Sequence, residues 1–354
     1  MKILYLTKYT SKAASSRMRS YQYFPYLEKQ GFQIVVKPFF SESYINDFYA
    51  GRKNKLAIIK AYIRRFFVLF HVFGYDKIVI EKELFPYLPA FAERLLHFFS
   101  VHYIVDYDDA IFHNYDQSSN PYFKLFLKDK IDKVMRFSDL VIAGNSYLAE
   151  RAKKAGAKRI EVIPTVVDLE RYAVKSDSAI ENKKFVVGWM GTKTTFEKHL
   201  LPCKNWIEKI QQLDAEIEFH IVGIPEDQGF GNHVQWIPWS EESENKEIQK
   251  MDVGIMPLQD SVWEKGKCAY KLIQYAACGV PGIASDVGMN SEVAIPNKTG
   301  FLAYSDEDWI SRILQLKADR EKRHYLGQHA RKLVEEKYGL QVTEKKWKEM
   351  LELI

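Results

Sequence analysis

The sequence predicts two doubly wound α/β domains in tandem, and three observations lead there. Short β-branched or apolar runs alternate with helical patterns, and they do so twice along the chain. At 354 residues the chain exceeds one ordinary core and fits two. Between the two alternations, residues 172–184 are polar and charged without periodicity, as a linker is. Alternation of this kind is the pattern of βαβ units on parallel sheets.

In the first half, the runs at 3–7, 33–37, 77–80, 103–106, 140–143 and 160–163 read as strands. Helical patterns such as 21–29 and 147–155 lie between them. Gly31 stands where the first of these helices should stop, because glycine accepts the left-handed conformation that ends a helix. The second half restarts at 185–189 and continues with 217–222, 234–237, 252–256, 282–284 and a last strand near Phe301. The closing segment 342–354 reads as an amphipathic helix with Trp347 and Leu351 on one side.

Composition narrows the class. Hydrophobic residues make up 47% and charged residues 27%, which suits a soluble globular protein. Cys203, Cys268 and Cys278 are too few and too irregularly spaced for a disulfide or metal framework, so a reducing cytoplasm is expected. The opening MKILYLTKYT is strand-like and lacks the apolar core and cleavage site of a signal peptide. No apolar stretch approaches the ~20 residues that span a bilayer.

The net charge of +5 is unevenly spread. Residues 48–75 contain no acid, and Arg52, Lys53, Lys55, Lys60, Arg64 and Arg65 lie among Leu56, Ile59, Ile63, Phe66, Phe67 and Phe70. The apolar positions recur at helical spacing, giving one greasy stripe with a basic flank. Such a helix can lie on an anionic membrane, each basic residue contributing roughly 1 kcal/mol. The alternative is a helix that buries its stripe in the N-terminal domain. The long aromatic window favours the membrane, at residues 52–70. No nucleic-acid-binding motif accompanies the charge.

Ligands of open α/β sheets bind beyond the carboxyl ends of the strands, so those loops carry the chemistry. After the first strand, Ala13, Ala14, Ser15 and Ser16 lead into Arg17 and Arg19 at a helix start. Such a turn can approach a phosphate and answer it with guanidinium, or it can be a plain N-cap with solvated arginines. After the fourth strand, Asp106, Asp108, Asp109 and His113 include an alternate-carboxylate pattern that invites a divalent cation. In the second half, Gly188 and Gly191 bracket a strand-to-helix turn followed by Thr192, Lys193, Thr194 and Thr195, a set suited to cradle a phosphate. Gly223 and Ile224 follow the 217–222 strand; a turn glycine is the plain alternative.

The segment GKCAYKLIQYAACGVP at 266–281 places Lys267 and Lys271 at the start of a helix, beside backbone N–H groups that favour an anion. Ala276, Ala277 and Gly279 are small enough for that helix to pack closely on its sheet, and Pro281 opens the short strand GIAS. A diphosphate at the helix N-terminus fits, as do two merely solvated lysines.

Taken whole, DVGIMPLQDSVWEKGKCAYKLIQYAACGVPGIASDVGMNSEVAIPNKTGFLA at 252–303 resembles the nucleotide-sugar-binding half of retaining GT-B glycosyltransferases of the family-4 (group 1) type. The resemblance implies an α/β GT-B fold of two Rossmann-like, doubly wound domains facing across a central cleft. The N-terminal, acceptor-side domain would cover 1–173 and be joined by the final helix at 340–354, with the nucleotide-sugar domain over 174–339. It implies no metal and no cofactor, since such enzymes neutralise the donor diphosphate with protein cations. The substrate would be a UDP- or GDP-linked sugar, with Lys271 neutralising the leaving diphosphate.

In the same way Gly191, Thr192, Lys193 and Lys267 would serve the donor, Gly223 and Ile224 its base, and Gly288, Asn290 and Glu292 its sugar or diphosphate. Asp108 and Asp109 would meet sugar hydroxyls or the acceptor, and Ser16, Arg17 and Arg19 the acceptor or diphosphate. No Asp or Glu is placed as a covalent nucleophile, so the same-face displacement attributed to these enzymes is carried over. The acceptor would be a glycan or glycolipid of bacterial surface assembly, met at the inner face of the membrane.

The chain departs from the family where two glutamates usually stand eight positions apart; here the positions hold Gly266 and Gln274. A Gln amide grips a ribose diol less strongly than a carboxylate. That departure keeps a catalytically silent binding subunit of the same fold in view. A sugar-nucleotide epimerase is a further alternative, but its usual motifs are absent.

Overall fold

The computed structural model describes residues 1–52, 54–174 and 184–353, with the backbone alone for Tyr49. Lys53 of the basic segment, 175–183 of the expected linker and Ile354 of the last helix lie outside the described residues.

Two compact units emerge. The first gathers the described residues of Met1–Thr165, Lys265–Cys268 and Thr343–Ile354; the second gathers those of Val166–Glu264 and Ala269–Val342. Each is built on a six-stranded, all-parallel sheet, and the fold is α/β GT-B.

In the first unit the strands are β1 (Lys2–Leu6), β2 (Gln33–Val36), β3 (Lys77–Glu81), β4 (Tyr103–Tyr107), β5 (Leu140–Ala143) and β6 (Ile160–Val162), in the order β2-β1-β3-β4-β5-β6. In the second they are β7 (Phe185–Met190), β8 (Ile217–Val222), β9 (Val234–Ile237), β10 (Val253–Met256), β11 (Gly282–Ser285) and β12 (Gly300–Ala303), in the order β12-β11-β10-β7-β8-β9. Each strand falls on a run the sequence marks, to within a residue. For the inner strands the reason is burial on both faces: Ile3, Leu4, Tyr5 and Leu6, or Leu140, Val141, Ile142 and Ala143, are all buried. Parallel strands covered by helices on both sides read as continuous apolar runs.

Strand order reverses between β1 and β3 in the first sheet and between β7 and β10 in the second. Crevices at such switch points, beyond the carboxyl ends of the strands, are where open α/β sheets hold ligands. Local chemistry sets the connections that feed them. The helix Phe24–Lys29 carries Pro25 in its first turn and ends at Gly31, whose φ of +86° lets Phe32 N–H reach Leu27 O at 3.2 Å and Gly31 N–H reach Glu28 O at 3.0 Å. The end of the chain completes the first unit. Trp347, buried in the helix Leu340–Glu352, lies against Tyr23 and Tyr5 with ring centroids 5.3 and 6.5 Å away.

In the second unit the helix Tyr270–Ala277 rests on glycines of the sheet. A Cβ on Gly254 would lie 2.2 Å from the Tyr275 ring, and one on Gly282 would lie 2.7 Å from Leu272. The Tyr275 hydroxyl then accepts from Met190 N–H at 3.1 Å, pinning the helix to the end of β7. The close approach thus comes from glycines in the strands. Gly279, at the helix end with φ +72°, instead admits Gly327, where a Cβ would meet Gly279 O at 2.1 Å.

Candidate functional site

In the first unit a charged cluster fills the carboxyl ends of β1, β3 and β4. Glu81, the last residue of β3, is buried and accepts from Ser16 Oγ (2.7 and 2.9 Å) and from Lys8 N–H (3.0 Å). Lys82 follows with φ +69°, a strained left-handed conformation for a residue with a Cβ. That turn aims its ammonium at Asp108 Oδ1 (2.8 Å), Ser15 Oγ (3.2 Å) and Asp109 Oδ2 (3.6 Å). Ser15 also donates to Asp108 Oδ2 at 2.7 Å.

The two aspartates therefore differ. Burial alone would raise the Asp108 carboxyl, but the Lys82 ammonium holds it down at about 2. Asp109 is raised, first by burial and then by the neighbouring Asp108 charge. Asp109 also keeps about a third of its side chain exposed, 34%. A fixed anion beside a carboxylate of higher proton affinity is an arrangement that can bind and orient a hydroxyl.

The alternate carboxylates of this loop have protein cations as partners. Arg19 donates from Nε to Asp106 Oδ2 at 3.0 Å and from Nη2 to Oδ1, with both side chains buried. Arg19 Nη1 also donates to Ile163 O at 2.8 Å. Arg19 is thus a core ion pair, not a group presented to a phosphate, and Ser16 is likewise committed to Glu81. Arg17 lies on the same short helix, Ala14–Arg19, with Nη1 3.4 Å from Ser11 O. His113 is held between Asp116 (2.7 Å) and the Tyr147 hydroxyl (2.9 Å).

Lys267 belongs to this unit too. Its carbonyl accepts from Asn145 Nδ2 at 3.1 Å, and its charge lowers the proton affinity of Asp109 against the stronger effect of burial. Gly266 beside it lies flush on the Asp-rich loop: a Cβ there would sit 2.5 Å from Ala110 Cβ and 2.7 Å from Ala110 N. A side chain at that position would force the loop to shift. The nearest acid in sequence, Glu264, is buried in the second unit with Lys198 (2.5 Å), Ser261 and His199 (3.5 Å) around it.

In the second unit the expected donor residues Gly191, Thr192, Lys193, Gly223 and Lys271 come together at the ends of β7 and β8. Gly191 N–H donates to Val222 O at 3.0 Å, and a Cβ on Gly223, at φ +100°, would lie 2.1 Å from Gly191 O. The two turns therefore cross backbone to backbone. Thr192 caps the next helical turn, with its hydroxyl 2.7 Å from that of Thr195, and Lys193 opens that turn. Ile224 is buried in the core, so only its backbone faces the turn.

Lys271 lies in the first turn of Tyr270–Ala277, its ammonium 5.2 Å from the centre of the Trp189 ring and its Cε 3.2 Å from where a Gly191 Cβ would be. The residue before the helix, Ala269, has φ +50° and no side chain caps the N-terminus. An uncapped helix start with a lysine alongside leaves N–H groups and a cation that can receive an anion. Gly288 takes φ +57°, Asn290 is buried with Nδ2 on Ser285 O at 3.0 Å, and Glu292 is exposed; all three follow β11.

Gln274, one turn beyond Lys271, is buried. Its amide donates to Glu244 Oε1 at 2.7 Å and to the Tyr172 hydroxyl at 2.9 Å.

The basic, aromatic segment forms the helix Lys55–Leu69, capped by the Asn54 side chain on Ala57 N–H at 3.0 Å. Its apolar stripe faces outward: Leu56 is 71% exposed, Ile59 54%, Ile63 52%, Phe66 49% and Phe67 59%, with Phe70 just beyond at 64%. The inward face is held by Arg65, which donates to Thr7 O (2.9 Å) and Lys37 O (3.1 Å). The alternative in which the stripe is buried in the N-terminal domain is thereby overturned. No helix among the described residues is long and apolar enough to cross a membrane.

Known proteins resemble this chain in one segment of its sequence and in its fold. Residues 195–333 match the family described as Glycosyl transferases group 1. No curated protein matches by sequence. Among solved structures, sucrose-phosphate synthase of Thermosynechococcus elongatus superposes with a TM-score of 0.71 at 13% identity, over 100% of this chain and 98% of that one. HepE of Anabaena in complex with UDP gives 0.69 at 15% identity over 100% of both chains. A glycosyltransferase of Rickettsia africae gives 0.71 at 13% identity, over 99% and 97%.

Proposed function

Because this chain carries a group 1 glycosyltransferase segment on a GT-B fold, we propose that it moves a sugar from a nucleoside diphosphate to a glycan or lipid-linked acceptor, with retention of anomeric configuration. The observation that carries this reading is the corner at Lys271. An ammonium, an uncapped helix start and the Gly191 and Gly223 turns converge on one place, of which Lys271 and Gly223 belong to the matched segment. Preorganised positive charge of this sort acts where a leaving diphosphate gathers negative charge.

In the proposed step the bond from the sugar's anomeric carbon to the diphosphate oxygen breaks. The acceptor oxygen bonds to the same face of that carbon, and its proton passes to the departing phosphate oxygen. Lys271 and Lys193 neutralise the leaving group, so the step needs neither metal nor cofactor. Within the first unit, Asp109 beside the Lys82-bound Asp108 is the group suited to hold a hydroxyl. Incubating the protein with α-configured UDP- and GDP-sugars and a bacterial membrane-lipid extract, then assigning the product by NMR, tests the reading. An α-linked product is expected. A β-linked product would refute retention, and no product with any donor would refute transfer.

The exposed stripe of Lys55–Leu69 supports a lipid-borne acceptor met at a membrane surface. Hydrophobic groups that remain in water at this density are what a bilayer interface takes up. The protein is expected to float with anionic vesicles, and a Phe66→Ser, Phe67→Ser, Phe70→Ser triple variant is expected to remain in solution. Equal flotation of both would refute the membrane contact.

A further inference from the structure

We propose that the helix Phe91–Phe98 joins Lys55–Leu69 in one apolar face two helices wide, and that an anionic lipid bilayer is its partner; the inference extends the membrane contact proposed above and does not depend on sugar transfer. Phe91, Leu95 and Phe98 recur at spacings of four and three residues, which puts them on one side of the helix, and Phe99 stands just past its end. All four are exposed, Phe98 at 76% and Phe99 at 57%. The opposite side carries Ala92, Glu93 and Leu96, all buried. Glu93, the acid of this helix, is turned inward, where its Oε1 accepts from Leu84 N–H at 2.9 Å. A surface helix in water ordinarily keeps its charges outside and its large apolar groups inside. Here the acid is inside and the phenylalanines are outside.

Aromatic contacts join the two helices twice. Tyr62 of Lys55–Leu69 lies against Phe85 with ring centroids 6.0 Å apart, and Phe85 lies against Phe91 at 5.8 Å. Beyond the helix ends, Phe73 meets Phe99 at 6.3 Å, and Phe99 meets Phe98 at 5.2 Å. Phe73 is itself 68% exposed. The two exposed rows therefore continue one another, and a contiguous apolar surface of this kind marks a place of contact.

Charge selects a bilayer as the occupant. Arg52, Lys55, Lys60, Arg64 and Arg94 are exposed in and beside the two helices, and among the described residues of 48–99 Asp76 alone is an exposed acid. Cations beside exposed phenylalanines match anionic headgroups lying over acyl chains. Attachment strengthens with the apolar area the bilayer takes up, so two rows hold where one is marginal. The helices precede and follow β3, whose last residue is Glu81, so the face and the charged cluster share one strand.

Flotation of the full chain with phosphatidylglycerol–phosphatidylcholine vesicles, and with phosphatidylcholine alone, tests this. The wild type is expected to float with the anionic vesicles and roughly tenfold less with the neutral ones. A Leu95→Ser, Phe98→Ser, Phe99→Ser triple variant is expected to lose roughly tenfold in binding to the anionic vesicles, with Lys55–Leu69 intact. Phe98→Trp, which keeps the apolar surface, is expected to add emission that brominated acyl chains quench. Flotation retained by the triple variant, or Phe98→Trp emission that is not quenched, would overturn the role of Phe91–Phe98 and leave the Lys55–Leu69 contact standing. Failure of the wild type to float would overturn both contacts and leave the transfer reading untouched. A wild-type dimer without vesicles that the triple variant separates would assign the face to a second copy and overturn the bilayer.

Discussion

Lys271→Ala is expected to lower donor turnover by roughly 10²–10³-fold, the usual cost of removing one preorganised group that meets developing charge. The same change should alter the stability of the ligand-free protein much less. Lys271 is half-buried at the surface of its helix, and one contact it loses is a cation–π approach to Trp189, worth about 0.5–1 kcal/mol at an exposed site. The loss in rate should therefore far exceed any loss in stability. Initial rates with the preferred nucleotide-sugar, set beside melting curves without ligand, separate the two quantities. A rate within threefold of wild type would remove Lys271 from the diphosphate corner. The remaining activity would fall to the helix N-terminus, Lys193 and the backbone of the Gly191 turn.

Arg19→Met reverses that signature. Arg19 and Asp106 form a pair with both side chains at most 2% exposed, and Arg19 also satisfies Ile163 O. Removing the cation leaves a buried carboxylate without its counter-charge, which costs about 3–5 kcal/mol. For a unit of this size each kcal/mol corresponds to about 2–4 °C, so the melting transition of the first unit should fall by roughly 6–20 °C. The double variant Arg19→Met, Asp106→Leu should recover most of the loss, since a buried pair replaced by apolar groups is often near neutral. If Arg19 served a phosphate instead, the ligand-free transition would stay put and only ligand binding would weaken. Thermal melts of the three variants distinguish these outcomes.

How far the sequence could be read depends on what each residue's neighbours are. The inner strands were legible because both faces are buried, so their composition is nearly uniform and needs no knowledge of the partner. Gly31 and Gly223 were legible because turn chemistry is local. The pairing of Arg19 with Asp106 was not: Arg17 and Arg19 look alike in sequence, and burial separates them only when β4 and the end of β6 are in place. Lys82 was missed although Glu81, Lys82 and Glu83 end the strand next to β1, on the side where strand order reverses. Attention to that switch point would have included it, but its left-handed conformation has no sequence mark.

Position 266 shows a different limit. The motif shows a glycine where a glutamate is expected, but not the close approach of Ala110, far away in sequence, that the glycine admits. Likewise a contiguous motif placed Lys267 with Lys271, whereas the chain divides between the two units just after Cys268. The pairing of Gln274 with Glu244 was not legible because Glu244 comes from a helix that carries no motif of its own.

The measurement that bears most directly on donor recognition is a thermal titration of the wild-type protein with UDP, GDP and their common sugar conjugates. A ligand that binds only the folded state raises the transition, by about 2.7 kcal/mol of stability at a hundredfold excess over its Kd. The account predicts a rise with the nucleotides of one base, carried by the diphosphate form and absent in Lys271→Ala. A transition that none of these ligands moves would contradict a nucleotide-sugar transferase and leave the fold serving a different ligand.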